Sequence, residues 1–361
     1  MTFTVIRQHH DPLLERVIQD LSDTCVRHGH VAVPETNGAG FVFNITDPAR
    51  PAFVRRRSKS LFVFSLISVE HPGDDFRAVC YTALVQTLAN QLICLVPTPD
   101  GAPQVHFTTP EAGFYQAPYD PERIYQSILP IAGAHFATEN LFSDDLPGVY
   151  HRPSAVVEEI KHYGRELELM GVLPVPFPIN EVLTREGRRQ LFKIYGITGA
   201  SYGNLSAREA IPSLGQTTFW MTGRGVNKAR LSVVGRDILL VKRFDHARGV
   251  ALISVPPGTD GHARVSVDAV EHALIYETFP SVGAIIHAHA WMDHIPCTRQ
   301  NYPCGTQELA EEVVGLLGMC ADPLHAVVGL KNHGITVTGE SLPEIFGRIR
   351  GKLKTQVEMF A

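Results

Sequence analysis

Two histidines one residue apart, His287 and His289, close the apolar run at residues 282–286. A β-strand turns every second side chain to one face, so both imidazoles point the same way. A second apolar run, residues 326–330, ends in Lys331-Asn332-His333-Gly334. Three imidazoles at two strand ends make a facial set for a divalent metal and leave positions open for a substrate. An isolated His-x-His is more often an ordinary strand end; the second histidine-terminated run favours the metal.

Other residues suited to chemistry cluster in the same half of the chain. The Gly/Ser/Asn-rich stretch 196–208 contains Asn204, and its backbone N–H groups and short side chains suit either an anion or a plain turn. Arg224 stands between Gly223 and Gly225 after an apolar run. On such an exposed turn its guanidinium would suit a forked contact to phosphate or carboxylate. Ser266 and Asp268 precede an apolar helix, where helix capping is the competing reading for both.

These residues need strands and helices to hold them. Residues 13–27 read as a helix with Leu14, Val17, Ile18 and Leu21 on one face, and 61–69 as a strand. Residues 76–92 are expected to be a helix leading into a strand at 93–96, and 121–140 a helix interrupted by Pro130. Arg152-Pro153-Ser154 opens a helix over 154–170, and 184–195 reads as another. A chain of 361 residues is long for one core. We place a division near residue 150, giving an N-terminal α/β or α+β domain at 1–150, of no assignable role, and a metal-binding domain at 151–361. The helix at 154–170 is a possible connector, and the proline-rich stretch 174–178 a second candidate boundary.

Composition excludes several classes. Hydrophobic content of 44%, charged content of 19% and a net charge of -5 describe an ordinary globular protein and argue against a nucleic-acid binder. The basic cluster Arg55-Arg56-Arg57 with Lys59 reads as a solvated strand edge or loop rather than a phosphate-binding patch, with an anionic ligand as the alternative. No apolar stretch approaches membrane-spanning length, and the start has no secretory pattern. The six cysteines show no zinc-finger or disulfide spacing, so a reducing cytoplasm is the expected location.

Taken in order, Gly203-Asn204-Leu205-Ser206, Thr222-Gly223-Arg224-Gly225, Ser266-Val267-Asp268, His287-Ala288-His289 and Asn332-His333-Gly334 resemble the class II aldolase/adducin family. The local likeness is to its ribulose-phosphate 4-epimerase and fuculose-phosphate aldolase branches, over roughly residues 180–361. The resemblance implies an α/β/α sandwich around a mainly antiparallel sheet and a homotetramer with sites at subunit interfaces. It implies zinc, or else manganese, cobalt or iron, on His287, His289 and His333. It also implies an anion pocket of Asn204, Gly225 and Ser266, with Asp268 as proton-transferring base or metal ligand. A small anionic hydroxy-carbonyl substrate would then react through a metal-stabilised enediolate.

This sequence departs from that pattern at three places. Arg224 stands where sugar-phosphate members carry serine or threonine, and Val267 replaces the second serine of a pair. The segment between His289 and Gly305 is shorter than in those members, and no counterpart of their C-terminal catalytic tyrosine is present. Asp293, His294 and Tyr302 of the shortened segment are the candidate replacements, each with a bland alternative as a turn cap, a surface residue or a packing residue. The expectation is a metal-dependent lyase of aldolase type. A decarboxylase or epimerase using the same site, and a non-catalytic adducin-like scaffold, are the alternatives.

Overall fold

The computed structural model describes residues 1–56, 61–111, 113–173, 184–186, 188, 189, 202–259 and 263–360. The chain forms two compact units: Met1–Ala134 with Pro176–Tyr195 and Met359–Ala361, and His135–Val175 with Gly196–Glu358.

The first unit runs β1 (Thr2–Arg7), α1 (Pro12–Arg27), β2 (Val31–Ala32), β3 (Phe41–Ile45), β4 (Phe62–Ser68), α2 (Phe76–Thr87), β5 (Gln91–Val96), β6 (Gln104–Thr108), β7 (Phe114–Pro118) and α3 (Pro121–Ala132). Its sheet has the order β2-β1-β3-β4-β5-β6-β7, parallel from β2 to β5 and antiparallel beyond. The fully buried apolar runs of β3, β4 and β5 are what a parallel sheet covered on both faces requires. α1 forms as its pattern demands. Asp11 caps Leu13 and Leu14, and Leu14, Val17, Ile18 and Leu21 are buried.

Two helices end earlier than the sequence suggests. α2 stops at Thr87 because Leu88 turns left-handed (φ 53°) and the Asn90 side chain accepts the Val63 N–H at 2.9 Å, so β5 begins at Gln91. α3 carries Pro130 but stops at Ala132, with Gly133 at its C-cap. Residues 139–143, expected within that helix, form β8 (Glu139–Ser143) of the other unit, parallel to β12 (Val250–Ser254). That pairing carries the second unit back to His135, ahead of the expected division at 150.

The second unit continues with α4 (Ala155–Leu169), β9 (Asn204–Arg208), β10 (Phe219–Thr222), β11 (Ile238–Asp245) and β12. After them come α5 (Ala269–Thr278), β13 (Ala284–Ala288), α6 (Gln307–Gly318), β14 (Val327–Leu330), β15 (Gly334–Gly339) and α7 (Leu342–Ile349). Most of the helix expected at 184–195, and of the loop before Gly203, lies outside the described residues. The sheet order is β14-β15-β13-β9-β10-β11-β12-β8, antiparallel except for the β12–β8 edge.

Helices cover both faces. Phe219, Met221, Ile285 and Val328 join α5 residues Ala269, Val270 and Ala273 and α6 residues Leu309 and Val313 in one buried cluster. On the other face α4 packs on β9 and β10, and α7 on β13 and β15. Tyr163 of α4 meets Phe346 of α7 there, ring centroids 4.4 Å apart. This is the expected mixed α/β architecture, an α/β/α sandwich on a mainly antiparallel sheet.

Candidate metal centre

The register of β13 determines the surroundings of His287. Asn204 of β9 stands opposite it on one side and Thr336 of β15 on the other. Directly opposed residues share a face, and this row faces α5. Asn204 Nδ2 donates to Asp268 Oδ2 at 2.7 Å, and Thr336 Oγ1 donates to Glu271 Oε1 at 2.6 Å. His287 is therefore bracketed by two buried carboxyl groups from the start of α5.

His289 follows one residue beyond β13, and His333 comes from the turn joining β14 to β15. Asn332, left-handed at φ 57°, shapes that turn. Gly203 is also left-handed at φ 75°, and a Cβ there would lie 2.7 Å from the His287 carbonyl oxygen. Nitrogens of His287, His289 and His333 lie within 4.8 Å of one another. Ligand nitrogens about 2.0 Å from a tetrahedral zinc sit roughly 3.3 Å apart, so a small rotation of the rings closes the set.

The electrostatics fit a cation. Burial lowers the pKa of all three imidazoles, most strongly at His289 and His333, so they are neutral at pH 7. His287 Nδ1–H donates to the Ile335 carbonyl at 3.1 Å, a tautomer assigned from the network, which leaves Nε2 with its lone pair. Tyr202 stacks on the His289 ring, centroids 5.1 Å apart. Both nitrogens of His333, Nδ1 of His289, Oδ1 of Asp268 and Oδ1 of Asn204 are buried with no hydrogen-bond partner. Burying so many unpaired polar atoms in one place is costly, and a metal with its substrate would satisfy them.

The remaining expected residues fall in two groups. Ser266 is buried, its N–H donating to the Thr222 carbonyl at 3.1 Å, and Gly225 is left-handed at φ 68°. Asp268 stands at the N-cap position of α5 but caps no backbone group; its carboxylate turns to Asn204 instead. Arg224 is not on an exposed turn. It is partly buried, with Nη2 donating to the Thr138 carbonyl at 3.2 Å, and desolvation lowers its pKa to about 10. In the shortened segment, Asp293 is exposed and pairs with Lys354, and His294 is exposed with φ 61°. Tyr302 packs, partly buried, against the cluster under α5 and α6.

Four residues near the triad escaped the sequence reading. Glu271 and His272 lie on α5, inside a run that reads as ordinary amphipathic helix. Burial next to the Asp268 charge raises the Glu271 pKa to about 8. His272 Nδ1 meets Ser206 Oγ at 2.7 Å, and burial lowers its pKa to about 3. Tyr202 had no partner visible in sequence. Lys228 opens a short 3-10 turn after β10 and is 2% exposed.

Residues 188–292 match the sequence profile of the Class II Aldolase and Adducin N-terminal domain. Most of that stretch, from Gly196 on, lies in the second unit. The matched stretch contains Asn204, Arg224, Asp268, His287 and His289, and His333 follows on the next hairpin. Solved structures similar to this domain include an L-fuculose 1-phosphate aldolase, 18% identical over 55% of this chain and 81% of its own, with a TM-score of 0.36. YgbL of Klebsiella pneumoniae, whose description offers aldolase, epimerase and decarboxylase together, is 19% identical over 53% of this chain and 82% of its own (TM-score 0.33). An aldolase II superfamily protein of Pseudomonas syringae is 16% identical over 56% of this chain and 74% of its own (TM-score 0.36). Among curated proteins none matches the chain. Among the described residues no helix is long and apolar enough to cross a membrane.

Proposed function

We propose that the class II aldolase-type domain is a metal-dependent lyase acting on a small anionic hydroxy-carbonyl compound. The observation that carries this reading is the convergence of three buried, neutral imidazoles beside Asp268, whose second oxygen has no partner. A divalent ion on His287, His289 and His333, zinc by the all-nitrogen donor set, would supply a Lewis acid for adjacent substrate oxygens. Asp268 is placed to take or return a proton at the carbon beside the carbonyl, and Asn204 holds that carboxylate in position through its amide. Arg224, Gly225 and Ser266 form the wall that would receive an anionic group. Aldol cleavage, decarboxylation and epimerisation all use this arrangement, and we favour carbon–carbon cleavage of the aldol type. Assembly into a homo-oligomer, a tetramer by family likeness, belongs to the same proposal.

The test is His287→Ala. Metal content measured by elemental analysis should fall from about one ion per chain to background, and turnover of a hydroxy-carbonyl panel should go with it. Unchanged turnover in the metal-free variant would sink the reading.

A further inference from the structure

Backbone and side chain of Asn204 are fixed independently. The backbone lies opposite His287 across the β9–β13 pair, so the side chain shares the face of the His287 imidazole. The amide Nδ2 donates to Asp268 Oδ2 at 2.7 Å. A carboxylate oxygen only accepts, so the amide is assigned with its nitrogen toward Asp268 and its oxygen on the other side. Asn204 Oδ1 is buried without a hydrogen-bond partner among the described residues, and so is Asp268 Oδ1. The two residues are 1% and 5% exposed.

A buried acceptor with nothing to accept from is costly, and it welcomes one kind of neighbour, a hydrogen-bond donor. A phosphate or carboxylate oxygen set against it would bring lone pair to lone pair and add repulsion to the cost. The two free oxygens stand on groups that are themselves joined by a hydrogen bond, so they border the same small space beside His287. In the reaction proposed above, Asp268 Oδ1 meets the proton that it takes from or returns to the substrate carbon. The Asn204 oxygen has no such role. Only a donor carried by the ligand can satisfy it, and a hydroxyl is the group of the right size and polarity.

Resting on the metal-centre reading above, we propose that Asn204 is a specificity-determining residue whose side-chain carbonyl oxygen receives a substrate hydroxyl. The substrate then carries, besides the oxygens it offers to the metal, one further hydroxyl close to the carbon that Asp268 serves. The anion pocket expected of Asn204, Gly225 and Ser266 thereby loses its first member, because the free atom of Asn204 is an acceptor.

Titration calorimetry at pH 7 on the zinc-loaded protein tests this with a matched series of 2-hydroxy acids. Glycerate adds a 3-hydroxyl, lactate lacks it, and 2-hydroxy-3-methoxypropanoate keeps the oxygen but cannot donate. The wild type should bind glycerate at least tenfold more tightly than either of the others, as a site that pairs a substrate hydroxyl rejects analogues without it. Asn204→Ala should cut that preference below threefold while the affinities for lactate and inorganic phosphate change by less than threefold. Retained lactate binding shows that the site itself survives the substitution. Asn204→Leu, which keeps the shape of the side chain, is the second variant should the alanine form not fold, and it carries the same expectations. The proposal is overturned if the wild type binds glycerate no better than lactate, if the methyl ether matches glycerate, or if a folded variant keeps the preference. A tenfold loss of phosphate affinity in the variants also overturns it, since that marks an amide that binds anions. Zinc stoichiometry on the same samples separates the two readings: a protein that takes up no zinc sinks both, and a zinc-loaded protein without the preference sinks this one alone.

Discussion

Asp268 and Glu271 sit three residues apart on α5 and are both buried, yet their surroundings differ. The Asn204 amide donates to Asp268 Oδ2 at 2.7 Å. Burial, with the Asp268 charge beside it, holds the Glu271 pKa up at about 8 against the opposing hydrogen bond from Thr336, and keeps it mainly protonated at pH 7. We expect Asp268→Asn to lower kcat by about 10²–10⁴ while zinc stays bound, as for loss of a general base. Elemental analysis beside steady-state kinetics separates the roles, because a protein that loses zinc with Asp268 has lost a ligand. The histidines were legible in the sequence because a strand's two-residue period and the second histidine-terminated run both show in a linear string. Lys228 and Glu271 were not. A lysine after a glycine turn reads as solvated surface, and only the packing of α4 and α5 buries these two groups.

At the scale of elements, the hydrophobic runs gave the central strands nearly to the residue, β4 and β13 among them. Errors gathered where local signals were overruled. Residues 133–140 look helical until β8 finds a backbone partner in β12, and no local pattern announces a pairing more than a hundred residues away. The loop before β9 shows the opposite case, in which one small residue carries a geometric demand. Gly203→Ala would force an L-residue to φ 75° at a cost of about 1–2 kcal/mol, with its Cβ 2.7 Å from the His287 carbonyl oxygen. The expected result is a lower Tm and zinc affinity weakened at least tenfold, measured by chelator competition. Unchanged zinc affinity would show that β13 does not depend on this close approach.

For the whole molecule, the buried histidines and Glu271 set a pH optimum of stability for the metal-free protein. His272, His287, His289 and His333 have depressed pKa values, so the unfolded chain takes up protons below about 6.5 that the folded state refuses. Their contribution is therefore lost as pH falls below 6.5. Glu271 acts in the opposite sense. Its folded pKa of about 8 lies above the unfolded value, so its contribution is lost as pH rises toward 8. Within the site the four histidines outweigh Glu271 below 6.5, and Glu271 leads from there until Lys228, lowered to about 8, begins to titrate, which puts the maximum near pH 6.5. Calorimetric scans from pH 5 to 8 should show Tm falling on both sides of that point; a monotonic rise to pH 8 would contradict the assignment.

The pairing of Asn204, His287 and Thr336 across three strands has a consequence for folding. Strand side chains alternate faces, so slipping β9 by one residue would present Leu205 to His287 and send Asn204 to the α4 side. The same slip in β15 would remove Thr336 from Glu271. Either misalignment could still bury apolar residues, but neither would bring the Asp268 carboxylate and the imidazoles together. On the proposed metal-centre reading, capture of a metal ion would be a checksum on strand alignment, and a zinc-responsive dye in a refolding experiment would count the correctly threaded chains.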